Sequence, residues 1–129
     1  MKKDNYRPTE AELEILQVLW NEGSSSVRTV NEALNAHREV GYTTTLKIMQ
    51  ILVEKGLLIR NTESRTHIYE ANVSEEVTQK KLLNRFVDAA FRGSAMKLVM
   101  QALGTHKASP EELKDIKALI REMEKKQDQ

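Results

Sequence analysis

Three amphipathic segments in succession carry their own start and stop signals, and the stretch that follows, LLIRNTESRTHIYEAN at residues 57–72, has no helical stripe. That order constrains the chain more than any other feature. In PTEAELEILQVLWNEG, Thr9 caps a helix and Glu12 completes a capping box; Leu13, Leu16, Leu19 and Trp20 recur at helical spacing, and Gly23 stops it. Glu10, Glu12 and Glu14 load the first turns, where the helix dipole favours anions. In SSSVRTVNEALNAH, Ser25 or Ser26 caps, and Val27, Val30, Ala33 and Leu34 form the stripe. Thr43 or Thr44 is expected to cap a third helix that runs to Lys55, with Gly56 as its left-handed terminator. The stretch beyond reads as two short strands, Leu57–Asn61 and His67–Ala71, about a polar turn at Thr62–Thr66.

After Asn72 the helical signal returns. Ser74 caps a long helix with Val77, Leu82, Leu83, Phe86, Val87, Ala90 and Phe91 as apolar positions, broken at Gly93-Ser94. AMKLVMQAL is a short apolar helix expected to end at Gly104. SPEELKDIKALIREMEKK is a last helix with Ser109 as cap, Pro110 at its first position and Glu112 in the box, its tail fraying from about Lys125. The fold expected is mainly α with a small β-hairpin wing: a winged helix-turn-helix domain over residues 1–72 and a helical dimerisation domain over 73–129. The second half cannot bury its apolar faces as a lone arm, which points to self-association. Leu83, Val87, Phe91, Leu98, Val99 and Leu103 are the expected dimer contacts.

The bulk numbers narrow the function. The chain has 129 residues and no cysteine, which rules out disulfides, thiolate metal sites and a cysteine nucleophile. Its three histidines, His37, His67 and His106, show no metal-ligand spacing. No cofactor or metal is expected. No apolar run approaches the ~20 residues of a membrane helix, and MKKDNYRPTEAE lacks the apolar core of a signal peptide. The expectation is a cytoplasmic protein without membrane insertion. Net charge names no partner: residues 1–72 hold 9 Lys and Arg against 10 Asp and Glu, and residues 73–129 hold 11 against 9. A DNA-binding reading therefore rests on where the charges sit.

The third helix supplies that placement. At ~100° per residue, Thr45, Ile48, Met49 and Leu52 form one face, and Thr43, Lys47, Gln50 and Glu54 the opposite one. Thr44 and Ile51 lie on one shoulder, Leu46 on the other. The exposed face thus offers hydroxyl, ammonium and amide groups, which donate to phosphates; Gln can also make a paired contact to adenine. Leu46 and Ile51 flank this strip, where an apolar side chain can meet a thymine methyl. The hairpin follows with Arg60, Arg65 and His67, placed as a wing for backbone phosphates. Trp20 and Tyr42 read first as core and packing residues, with contact to the DNA backbone as the second reading for Tyr42, from its place at a helix entry.

PTEAELEILQVLW, YTTTLKIMQILVEKGLL and SRTHIYEA, in this order, resemble the BlaI/MecI family of penicillinase repressors. The resemblance spans roughly Pro8 to Leu119 and is strongest in the first half. It implies a homodimer of winged domains on a palindromic double-stranded operator, with the third helix in the major groove. It implies repression of β-lactam-resistance or related stress genes. Relief would come from a membrane sensor protease, or a protease downstream of it, that leads to a cut in the dimerisation arm. Well-known members are cut at an Asn-Phe bond; the aligned pair here is Gln101-Ala102. Family members often carry a basic residue where this chain has Leu46 and Ile51, so base preference differs. A copper-responsive branch uses C-terminal cysteines, which this chain lacks.

An alternative from another class is a protein–protein adaptor that uses the winged fold without DNA, in keeping with the near-neutral first half. An enzyme is not expected: His67 beside Tyr69 is the nearest thing to a reactive cluster, and a site needs nucleophile, base and orienter together.

Overall fold

The computed structural model describes residues 5–128; Lys2 and Lys3, which bear on the signal-peptide reading, lie outside them, as does Gln129. The order is α1 (Glu10–Glu22), α2 (Val27–Asn35), α3 (Tyr42–Glu54), β1 (Leu58–Asn61), β2 (Ile68–Ala71), α4 (Glu75–Phe91), α5 (Ala95–Thr105) and α6 (Pro110–Gln127). The helix–helix–helix–hairpin order expected from the sequence is the one observed.

Local chemistry explains most of the boundaries. The Thr9 hydroxyl accepts from Glu12 N–H while the Glu12 carboxylate accepts from Thr9 N–H, so the capping box forms. The same carboxylate reaches Lys55 Nζ at 2.7 Å, a buried acid that ties the start of α1 to the end of α3. Of the two candidate serines, Ser26 caps α2, and Ser25 instead pairs its backbone with Tyr69. The α3 terminus is a Schellman motif: Gly56 (φ +81°) lets Leu57 N–H reach Leu52 O and Gly56 N–H reach Val53 O. On the surface, Arg38 forms two hydrogen bonds to Glu14 and holds its carboxyl below the usual range.

Five expectations need correction. Gly41, not Thr43 or Thr44, is the N-cap of α3, and no side chain caps it. Its extended backbone starts the helix at Tyr42 and leaves Thr43 and Thr44 exposed in the first turn. The strands begin at Leu58 and Ile68, so Leu57 and His67 lie just outside the ladder. Helix α5 continues through Gly104 to Thr105, because a glycine inside a helix costs only about 1 kcal/mol and does not by itself stop it. Helix α6 continues through Lys125 and Lys126 to Gln127; the two lysines suit the negative end of its dipole. Tyr42 is 52% exposed and is no core residue.

Two compact units divide between Leu83 and Asn84, within α4. The first is built on a core of Ile15, Leu16, Val30, Met49, Leu52, Leu57 and Tyr69 with their neighbours. It takes in the start of α4 beyond Asn72 for identifiable reasons. Tyr6 and the fully buried Thr78 share a hydrogen bond between their hydroxyls, Lys81 lies over the Tyr6 ring, and Trp20 Nε1 donates to Val73 O. Burying Tyr6 and packing Trp20 against the core thus recruits the first turns of the long helix. The second unit holds the rest of α4 with α5 and α6. Neither α5 nor α6 has a buried residue.

Candidate nucleic-acid interface

The placement of α3 begins with two asparagines of α2. Asn31 Nδ2 donates to Val40 O (3.0 Å) and to Thr45 Oγ1 (2.8 Å). Asn35 Nδ2 donates to the same carbonyl at 2.8 Å, and its Oδ1 accepts from Val40 N–H. The connection between α2 and α3 is therefore clamped from one side, and the fully buried Thr45 locks the first turn of α3 against α2. The apolar-stripe reading of α2 passes over both asparagines, since their partners lie beyond the next turn.

With Thr45, Met49 and Leu52 buried, α3 turns Thr43, Thr44, Lys47, Gln50 and Glu54 to the exposed side. The polar strip is thus a surface fixed by packing. On its shoulders Ile51 and Leu46 are half-buried, while Thr44 is exposed. Leu46 packs partly against the core and, like Ile51, keeps part of its side chain on the surface.

Arg65 and His67 are exposed on the wing, and Arg60 on β1 pairs across the ladder with Tyr69. Arg65 and His67 do not stand alone. They line a cleft with Arg28 from the first turn of α2, Tyr42 and Leu46 from α3, and Tyr69 at its floor. No carboxylate is among the described residues that line it. Two guanidinium groups, an imidazole and a phenol around a cleft free of acids suit a phosphate oxygen, which takes charge-assisted hydrogen bonds from such donors. Lys47, Gln50 and Arg60 lie outside its lining. Sequence reasoning missed Arg28 and placed Tyr42 first in the core, although it is exposed and its second reading, at the backbone, is the one its place in the cleft suits. The available signals were the position of Arg28 just after the Ser26 cap and of Tyr42 just before the exposed threonines. Among the described residues no group of His, Asp and Glu could hold a metal ion.

The arm residues divide. Leu83 (49%), Val99 (44%) and Leu103 (43%) are exposed apolar side chains. Phe91 and Leu98 are half-buried, and Val87 is already buried within its own chain, which removes the reason for placing it at a subunit contact. The Phe91 ring meets Phe86 edge to face. Phe86, Met96 and Met100 add exposed apolar surface beyond the expected dimer contacts. Gln101 is exposed and Ala102 half-buried, both in the middle of α5. No helix among the described residues is long and apolar enough to cross a membrane.

Comparison with known proteins agrees with this architecture. The profile of the family described as "Penicillinase repressor" matches residues 8–122. The penicillinase repressor of Bacillus licheniformis is 27% identical over 118 residues, 88% of this chain and 89% of that protein. The methicillin resistance regulatory protein MecI of Mammaliicoccus sciuri is 20% identical over 120 residues, 93% of this chain and 98% of that one. A solved MarR family protein from Bacillus stearothermophilus superposes with a TM-score of 0.51 at 18% identity, covering 99% of this chain and 81% of that one; this likeness is one of fold.

Proposed function

The chain belongs to the penicillinase repressor family, a family of transcriptional repressors and not of enzymes, and on that premise we propose that it acts as a homodimer on a palindromic operator. Helix α3 enters the major groove of each half-site, and the wing and the start of α2 grip the flanking phosphates. The observation that carries this reading is the exposed strip Thr43, Thr44, Lys47 and Gln50 beside the acid-free cleft of Arg28, Tyr42, Arg65 and His67. It answers the near-neutral charge of the first half, because the cations gather where a backbone would pass. The exposed apolar side chains Leu83 of the first unit, and Phe86, Val99 and Leu103 of the second, are the dimer contacts of this proposal. The targets are β-lactam-resistance or related stress genes. A footprint on DNA upstream of the chain's own gene tests the whole reading: two protected half-sites about one helical turn apart support it, and no protection at any salt overturns it.

Lys47→Ala and Gln50→Ala each weaken operator binding by ~1–3 kcal/mol if the contact is to a base edge, with the melting temperature unmoved because both side chains are exposed. Operator binding equal to wild type in both variants, read by titration at fixed salt, removes α3 as the reader. Arg28→Ala and Arg65→Ala instead weaken binding to all sequences about equally, each lowering the slope of log affinity against log salt by roughly one unit. A changed sequence preference would place the altered side chain in a groove.

Relief of repression is proposed to run through proteolysis in α5, between Val99 and Leu103, including the Gln101-Ala102 bond. A cut there severs α6 from the rest of the arm. The helix must open locally before a protease can bind its backbone; within its own chain α5 has no buried residue, so the dimer contact is what that opening has to loosen. Mass spectrometry of the protein from β-lactam-treated cells is expected to show the two fragments; an intact chain under full derepression discards the proteolytic switch.

A further inference from the structure

We infer that Leu46 reads the 5-methyl group of a thymine in each half-site, at the edge of the α3 strip nearest the cleft. The inference rests on the proposal that α3 enters the major groove, and it names a base feature that one further residue selects. Leu46 is half-buried. One side packs against the core, and its remaining surface lines the cleft with Arg28, Tyr42, Arg65 and His67. It stands one helical turn after Tyr42 and one before Gln50, and both of these are exposed. An aliphatic side chain is thus set between a group of phosphate donors and the amide suited to an adenine edge.

The chemistry of that position selects its partner. Leucine carries no donor or acceptor, so it adds nothing to a phosphate contact or to a hydrogen-bonded base edge. With Lys47 and Gln50 turned toward the bases, the outer surface of Leu46 enters the same groove. A polar base edge pressed against it loses water without gaining a hydrogen bond, which is unfavourable. The thymine 5-methyl is the apolar group that a base pair presents in the major groove, and it is buried there at no such cost. The core packing behind Leu46 also holds the side chain in place, so little rotamer freedom remains to be lost on binding. Ile51 supplies the internal control. It lies on the opposite shoulder of α3 and lines a separate depression with Tyr6, Glu54 and Lys55.

Gel-shift titrations of the full chain at fixed salt, on the operator found by footprinting, test this. Each thymine is replaced in turn by uracil, symmetrically in both half-sites, which removes the methyl and leaves every hydrogen-bonding group. Burying one methyl is worth about fourfold in affinity, so one such replacement is expected to weaken the wild-type chain about fifteenfold over the two half-sites. Cytosine at the sensitive position weakens binding further, and 5-methylcytosine there recovers about the same factor. In Leu46→Ala the shortened side chain no longer reaches the methyl, and the uracil penalty is expected to fall to about twofold or less. Ile51→Ala keeps the wild-type profile. Leu46→Ala also removes core packing, so its unfolding is followed in parallel; the scan on the wild-type chain does not depend on it. A scan in which no uracil costs wild type more than about twofold, on an operator that is bound, overturns the methyl reading and leaves α3 in the groove. A penalty undiminished in folded Leu46→Ala, or abolished by Ile51→Ala or Thr43→Ser instead, overturns the assignment to Leu46. A chain that binds no operator overturns the proposed function, and this inference with it.

Discussion

Replacing Val99 and Leu103 together by aspartate is expected to give a folded monomer whose operator affinity has fallen about a thousandfold, the distance between typical specific and non-specific DNA binding. The two side chains are four residues apart on one face of α5 and are 44% and 43% exposed. The substitutions therefore disturb no buried core within the chain. Across a subunit contact the result is different: each carboxylate loses water without gaining a partner, and burying unpaired charge is costly enough to hold the surfaces apart. A monomer then binds one half-site at a time, and the two binding energies no longer act in one molecule. Leu98→Asp is a weaker probe, since Leu98 is half-buried in its own chain and its loss mixes folding with association. Sedimentation gives the state of association and a gel shift at fixed salt gives the affinity. If the double variant still sediments as a dimer, the contact does not use α5.

Which features of this fold are legible in the sequence depends on how local the governing interaction is. The boxes at Thr9–Glu12 and Ser109–Glu112 and the cap at Ser26 are legible because both partners sit three residues apart. The Gly56 terminator is legible for the same reason. The start of α3 is not: a glycine cap has no side chain to announce it, and two threonines offer themselves as better candidates. Glu12 shows itself as a capping residue, while its second bond, to Lys55, joins residues 43 apart in the chain and leaves no mark in spacing. Asn31 and Asn35 are silent for a related reason, since an amide that clamps a distant carbonyl looks the same in sequence as one facing water. The candidate interface follows the same pattern. The polar strip of α3 can be drawn on a wheel. The cleft cannot, because Arg28, Tyr42 and Arg65 come from three elements and only the packing of the hairpin beside α2 brings them together.

Tyr69→Ala is expected to cost ~3–5 kcal/mol, the range for truncating a large buried aromatic, and so to remove much of the ~5–15 kcal/mol that holds a typical domain together. Tyr69 is 1% exposed and belongs to the core of the first unit. Its backbone faces two ways. It stands opposite Arg60 in the hairpin, and it exchanges hydrogen bonds with Ser25, its N–H donating to Ser25 O at 2.8 Å and its carbonyl accepting from Ser25 N–H at 2.9 Å. The ring thus anchors the point where the wing meets the segment leading into α2, and it floors the cleft that Arg28, Arg65 and His67 line. Removing it leaves a cavity at that junction, so stability and DNA affinity should fall together. The neighbouring His67 provides the contrast. Sequence spacing groups the two residues, but His67 lies outside the strand and is exposed. His67→Ala should therefore leave the urea midpoint unchanged and act on DNA binding alone. Tyr69→Phe keeps the ring and should retain most of the stability. If Tyr69→Ala unfolds within about 1 kcal/mol of wild type, a shift typical of ordinary substitutions, the wing is held by its turn and ladder, and the aromatic anchor is not what fixes the cleft.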